Sequence, residues 1–411
     1  TLAQGPLLLH WYYDTDVDTS FALLEPADGR VYHGVQTMTF SGMNEPLAGY
    51  LGALNDESIQ PAVRGLFFSI PGTRGAAQSL AQLGDFYRDA DYIGFIPELS
   101  LFLTSDVATD SIIATSRMYD TIIDSIVTLS VDYGRALFLR IGGEFNGDWN
   151  GYHPYLYVDM YRKITDKFTA RGFRDSVATI WCYMPAGPDN FDSVDVRGAL
   201  WYPGDDYVDW FGLDVFDVDN FDPEAPDHDR RGITTKGKAE RFLTLARQKG
   251  KPVFMSETSA IRINISSDPA DGVDDWNTWF AKFWQFLDLH SEIKGFSYID
   301  ADWPAHAYPD WGDARIENSD YVSMRYREEM HRGKYIHIPW SASMQFTLTR
   351  ACALRLTVHD FLGRTLRVLT DGVYGRGSHG LSMDATGLPP GVYLYRLTTP
   401  EGTLQRKMLL Q

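Results

Sequence analysis

Glu144 lies in the run RALFLRIGGEFNGDWNGY, residues 135–152, where an apolar stretch ends in two glycines and then a carboxylate. Asn146 and Trp149 follow at once. A second run of the same design, KPVFMSETSA at 251–260, ends in Ser256 and Glu257. Two glutamates, each at the carboxyl end of a strand, are the usual equipment for breaking a glycosidic bond. One gives a proton to the leaving oxygen and the other attacks the anomeric carbon. The first must be neutral and the second ionised at the same pH, so their surroundings must differ. Glu144 is the better acid/base candidate: Gly142 and Gly143 let a sugar approach the backbone, and Trp149 is expected to raise its pKa by desolvation. Glu257 is the better nucleophile, with Arg140, at the end of the apolar stretch in the first run, as the donor that keeps it ionised. Either glutamate alone is as easily half of a strand-end ion pair. Only the two together point to catalysis.

Such a pair needs a scaffold that brings two strand ends to one mouth. Strand-like runs occur at 31–37, 65–70, 92–99, 136–141, 177–183, 208–216, 252–257 and 293–299. Most are continuous apolar runs, as expected of strands buried on both faces. Helical patterns lie between them, such as 111–130, 154–170 and 275–290. Eight strands alternating with helices predict a (β/α)8 TIM barrel, with its site at the C-terminal ends of the strands. Glu144 then follows strand four and Glu257 ends strand seven. LLLHWYY at 7–13 reads as an extra strand outside the barrel. Other strand ends carry aromatic and polar groups: Trp181 and Tyr183 on strand five, Asp214 and Phe216 on strand six, Tyr298, Asp300 and Trp303 after strand eight. Any one of them fits a plain core. As a set they predict a sugar-binding groove, joined by Arg140, Asn146 and Trp149, because aromatic faces stack on pyranose rings.

The pattern changes near residue 338, where short alternating strands and turn signals such as Asp371-Gly372, Pro390-Gly391 and Glu401-Gly402 begin. Residues 338–411 hold eight Lys and Arg against four Asp and Glu, a net of +4, while the whole chain carries −18. The expected organisation is a catalytic barrel with an N-terminal extension over 1–337 and a small all-β sandwich over 338–411. The strong negative charge opposes nucleic-acid binding. No apolar stretch is long enough to span a membrane. The two cysteines, Cys182 and Cys352, give neither a disulfide framework nor a metal cluster. No cofactor is implied. Asp14, Asp16, Asp18 and Glu25 imitate the spacing of a calcium loop, but Thr19 stands where the loop needs glycine, so a solvated acidic loop is the better reading. The acidic run 217–229 is read the same way. No secretory leader is visible, and position 1 is Thr rather than Met.

RIGGEFNGDW resembles the acid/base segment of glycoside hydrolase family 26, a family of (β/α)8 retaining glycosidases. WYPGDDYVDWFGLDVF at 201–216 resembles that family's approach to strand six, and KPVFMSETSA its nucleophile strand. The resemblance runs from about Val31 to Arg315. It implies Glu144 as acid/base, Glu257 as nucleophile, and an endo-acting β-glycanase for which β-mannan is the commonest family substrate. Two positions depart from the family. Gly143 stands where a histidine often precedes the acid/base, and Phe216 where a tyrosine usually bonds the nucleophile. Both are subsite contacts, so the mannan preference does not carry over with the fold. LRLTVHDFLGRTLRVLTDG and the segment from GLSMDATG to KMLL resemble the C-terminal sorting domain of the bacterial type IX secretion system. That resemblance implies a secreted or cell-surface protein whose partners are a polysaccharide and the secretion machinery. The competing readings are a glycan-binding protein on a degenerate barrel, and a glycosidase or transglycosylase of other specificity, such as a β-glucanase or β-xylanase.

Overall fold

The computed structural model describes residues 21–26, 28–37, 47–70, 76–103, 106–338, 343–348, 350–360, 363–382, 391–400 and 402–410. The chain divides into two compact units, Ser20–Ile338 and a second that contains Pro339–Gln411. Residues 7–13, and with them Asp14, Asp16 and Asp18, lie outside the described residues.

The first unit is a closed parallel barrel. Its strands are β1 (Val31–Thr37), β2 (Val63–Ser69), β3 (Ile96–Phe102), β4 (Leu137–Ile141), β5 (Val177–Tyr183), β6 (Trp210–Leu213), β7 (Val253–Thr258) and β8 (Ile293–Tyr298). Each pairs with the next in parallel, and β8 returns to β1 with Tyr32 opposite Gly295. The barrel closes as the alternation predicts, with no unpaired edge. A short strand, β9 (Tyr335–Ile336), adds to β1 from outside.

Strand parity sorts the side chains into two cores. Tyr32, Val63, Ile96, Phe138, Ile180, Trp210 and Phe254 form one cluster. Phe138 touches Trp210 and Phe254 at centroid distances of 5.1 and 5.0 Å. Rings from strands that are not neighbours meet only across the barrel interior. The residues of opposite parity, such as Leu137, Leu139 and Ile141, join the larger cluster between strands and helices.

The helices follow their amphipathic patterns. α1 is Leu47–Leu54 and α2 is Ala76–Ile93. The strand expected from residue 92 therefore begins at Ile96, because Tyr92 and Ile93 finish a helix. The single helix expected over 111–130 is two, α3 (Val107–Thr115) and α4 (Asp120–Tyr133). Ser116 ends α3 with its N–H and its hydroxyl both on the Ile112 carbonyl. α5 (Pro154–Ala170) opens with proline, whose missing N–H costs nothing in the first turn, and buries Tyr157, Tyr161, Ile164 and Phe168 on one face. α6 (Thr235–Lys249) precedes β7. α7 (Pro269–Asp275) and α8 (Ala281–Leu289) are joined by a π-helical turn, Trp276–Phe280, and α9 (Asp320–Met330) closes the ring.

In the second unit, β10 (Ser343–Leu348) pairs with β13 (Gly377–Ser382). β11 (Cys352–Asp360), β12 (Thr365–Tyr374), β14 (Gly391–Thr399) and β15 (Gly402–Leu410) form an antiparallel sheet in the order 12-11-14-15. Leu348 and Leu381 of the small sheet share one apolar cluster with Leu354, Leu356, Tyr393 and Tyr395 of the large one. Asp371-Gly372 is not the expected turn. It lies inside β12, with Asp371 opposite Arg355. Both cysteines are free.

Candidate active site

The end of β4 is built around two left-handed residues. Gly142 has φ +59° and Glu144 has φ +52°. Gly142 meets a steric demand too, since a Cβ there would lie 2.8 Å from the Tyr157 ring. Tyr157 donates its hydroxyl to the Ile141 carbonyl at 3.0 Å and so ties α5 to the strand end. Glu144 occupies a region that side chains other than glycine and asparagine enter at a cost, so surrounding bonds must hold it there. Asn150, which is buried, supplies them: its amide donates to the carbonyls of Gly143 and Glu144 at 3.1 and 3.0 Å. Nothing in the spacing of Asn150 distinguished it from a loop residue.

The end of β7 solves a parity problem. Phe254 belongs to the inner cluster and Met255 to the outer one. Strict alternation would send Glu257 outward with Met255. The β7–β8 register slips between Met255 and Thr258, and this bulge re-aims the carboxylate. Glu257 thereby meets Arg140, which rises from β4 one layer above Phe138.

Arg140 is 2% exposed and acts as a fork: Nη1 donates to Glu257 and Nη2 to Asp214. The second Asp214 oxygen accepts the backbone N–H of Glu257 at 2.9 Å. Asp214 therefore binds the nucleophile candidate twice, through the guanidinium and through the main chain. It is fully buried and holds protein groups rather than facing a ligand, a correction to the substrate contact expected of it.

The two glutamates sit in unlike surroundings. Burial pushes the Glu144 carboxyl up to about 7, the charge of Glu257 adds to this, and Arg140 and Trp149 oppose it. Trp149 thus works against the expected direction. Its indole N–H donates to Glu144 at 2.5 Å, which favours the carboxylate. Trp149 itself is 51% exposed, an open aromatic face beside a carboxyl.

The remaining sequence candidates lie elsewhere. Asn146 is spent on the protein: its amide nitrogen donates to the carbonyls of Met184 and Pro188, and its oxygen accepts the Met184 N–H. It pins the loop after β5 rather than a sugar. Trp181 and Tyr183 have the outward parity of β5. Trp181 stacks on Phe145 at 4.5 Å, and Tyr183 on Phe242 at 4.8 Å. The inward residue between them is Cys182. Tyr298 likewise faces the helices, donating its hydroxyl to the Ala314 carbonyl. Trp303 is buried with its N–H on Ser259. Phe216 is 4% exposed and packs on Trp311 at 5.3 Å. These five aromatic residues are core, and of the aromatic candidates only Trp149 is exposed. Glu98 on β3, a carboxyl inside an apolar strand, was missed.

Among the described residues, no group of three or more His, Cys, Asp or Glu is placed to hold a metal ion. Glu25 turns its carboxylate back on the Ala22 N–H. In the acidic run 217–229, Asp217, Asp222, Asp227 and Asp229 pair with Arg262, Lys282, Lys236 and Arg231. No helix is long and apolar enough to cross a membrane, among the residues described.

Comparison with known proteins bears on the fold and on the family. Residues 106–285 match the model of glycosyl hydrolase family 26. A beta-1,3-xylanase of Alcaligenes sp. is 30% identical over 243 residues, which cover 53% of this chain and 48% of the relative. A mannan endo-1,4-beta-mannosidase of Bifidobacterium adolescentis is 33% identical over 120 residues, 28% of this chain and 11% of that protein. The match thus spans about half the length of the xylanase. An endo-beta-1,4-mannanase of Cellulomonas fimi has the same fold, with TM-score 0.52, 17% identity, and coverage of 92% of this chain and 93% of that one. Residues 106–285 of the barrel are thus similar to glycosyl hydrolase family 26.

Proposed function

We propose that this chain is a retaining endo-β-glycanase, with Glu144 as acid/base and Glu257 as nucleophile. The observation that carries the reading is the Arg140 fork, which pairs Glu257 with a guanidinium beside Glu144, a second carboxyl that burial pushes up to about 7. In the first step Glu257 forms a bond to the anomeric carbon. The glycosidic bond breaks, and its oxygen leaves with the Glu144 proton. In the second step Glu144 takes a proton from water, the water oxygen bonds the anomeric carbon, and Glu257 departs as carboxylate. Glu144 near pH 7 suits both halves.

The first substrate to test is β-1,3-xylan. The β-1,3-xylanase likeness covers 53% of this chain and the mannosidase likeness 28%. The two departures weaken the mannan reading. Gly143 has no side chain because Arg140 fills the space, and Phe216 is buried and has no hydroxyl to offer Glu257. β-Mannan is the second reading. The C-terminal unit, by its resemblance to a type IX sorting domain, would direct the enzyme to the cell surface or medium.

The test is a screen of β-1,3-xylan, β-mannan, β-1,4-xylan, mixed-linkage glucan and β-1,3-glucan for reducing ends, with NMR of the first-formed anomer. Retained configuration on one glycan is expected. Inversion overturns the mechanism, and a folded chain that binds glycan without cutting it overturns the activity. For the C-terminal unit, the measurement is where the full chain and a chain ending at Ile338 accumulate in a bacterium with type IX secretion. Equal export of both overturns the sorting role.

A further inference from the structure

Between the aromatic layer of the barrel and its mouth lies a polar layer. Glu98 is wholly buried on β3, and Gln36, Ser256 and Ser297 are buried around it. Gln36 donates from its amide nitrogen to a Glu98 oxygen and to the Ser256 carbonyl, each at 3.1 Å. Ser297 donates to the same Glu98 oxygen at 3.3 Å. Gly65 makes the space for Gln36, since a Cβ there would fall 1.6 Å from the amide oxygen. The Ser256 carbonyl belongs to the bulge that re-aims Glu257, and Gln36 receives it inside the barrel.

A carboxyl in this place is costly unless it is paired or neutral. The groups that face it are few. Gln36 comes from β1, and Gly65 on β2 brings no side chain. Arg140 comes from β4, Ser256 and Glu257 from β7, and Ser297 from β8. Asp214 and Glu144 lie beyond Arg140. Both terminal nitrogens of Arg140 are already engaged, with Glu257 and Asp214. Burial pushes the Glu98 carboxyl up to about 7, against the pull of Arg140 and the two serine hydroxyls.

We infer that Glu98 is a positioning residue for Glu257, acting through Gln36 on the bulged Ser256–Glu257 backbone and leaving the Arg140 fork to Glu257 and Asp214. As a neutral acid it accepts from Gln36 and fixes which end of that amide meets Ser256. As an anion it would draw Arg140 away from Glu257. The inference rests on the reading of Glu257 as nucleophile.

The test uses the full chain on the polysaccharide it cleaves. Glu98→Ala and Gln36→Met should each lower kcat by about tenfold or more, with KM within about twofold. The double variant should fall no further than the worse single one, because both cut the same link. Glu98→Gln, which cannot ionise, should recover most of kcat at pH 5. The alkaline limb of wild type should be steep, because Glu98 and Glu144 both titrate near 7. That of Glu98→Gln should be shallower. Thermal unfolding confirms that each variant is folded. If Glu98→Ala unfolds, Gln36→Met and Glu98→Gln carry the test. Additive losses, or a Glu98→Gln profile that overlays wild type, overturn the role. A wild type that cuts no glycan overturns the hydrolase reading instead, and this inference with it.

Discussion

A side chain at Gly143 would begin 2.3 Å from the guanidinium carbon of Arg140. The two residues compete for one volume, and the glycine leaves the arginine the room from which it reaches Glu257 and Asp214. Gly143→Ala should therefore displace the fork without unfolding the barrel. We expect kcat to fall at least about tenfold, since small misplacements at a reacting centre are costly. The midpoint of thermal unfolding should drop by only a few degrees. Unchanged kinetics would show that the arginine has another place to go.

Trp149→Phe separates two contributions of one side chain. The indole N–H lowers the Glu144 pKa by bonding its carboxylate, so its loss should raise that pKa. In the proposed acid/base role Glu144 must be protonated, so the alkaline limb should move to higher pH. KM should rise at every pH as the exposed stacking face shrinks. A limb that moves to lower pH would show that Trp149 favours the neutral acid after all.

Chemical rescue distinguishes the two glutamates. On an activated aryl glycoside that the enzyme accepts, azide should rescue Glu144→Ala and give a product of retained configuration. It should rescue Glu257→Ala, if at all, with inversion, because azide then replaces the missing carboxylate. The reverse pattern would exchange the roles. Full activity in either variant would falsify a two-carboxylate mechanism at these positions.

Stability should depend on pH through β1. His33 is wholly buried, with one ring nitrogen 3.0 Å from His337 and the other 2.6 Å from the Tyr50 hydroxyl. Burial, and then the neighbouring His337, hold its pKa well below the usual 6.5. Below about pH 6.5 the unfolded chain takes up a proton that the folded chain refuses. The stability held above that pH is thus lost progressively on acidification. His33→Gln should be less stable at pH 7.5 but should lose less between pH 7 and 5. The measurement is the denaturation midpoint of both proteins across that range, and parallel slopes would remove His33 from the account.

Much of this was legible in the sequence. Continuous apolar runs gave the strands, because both faces of each are buried. The same fact hid which face was which. In VATIWCY no alternation separates Trp181 and Tyr183, which face α-helices, from Cys182, which faces the barrel. Large rings drew the eye to the wrong parity, and Tyr298 beside Ser297 repeats the error. Glu257 was readable for the opposite reason: its residue type outweighed its parity, and the bulge that reconciles them is a backbone event with no sequence mark of its own. Glu98 did carry a signal, as the lone carboxylate in FIPELSLF, where a buried charge needs a purpose. Asn150 carried none.

The left-handed backbone at Glu144 sets this residue against the rest of the fold. Glutamate is poorly suited to φ +52°, whereas asparagine tolerates that region and does not bring glycine's unfolded-state entropy. Glu144→Asn would relieve on the order of 1 kcal/mol of backbone strain and remove a carboxyl that burial disfavours. The inactive protein should then be the sturdier one. Selection for thermal endurance alone, with no demand for turnover, would be expected to discard this carboxylate early.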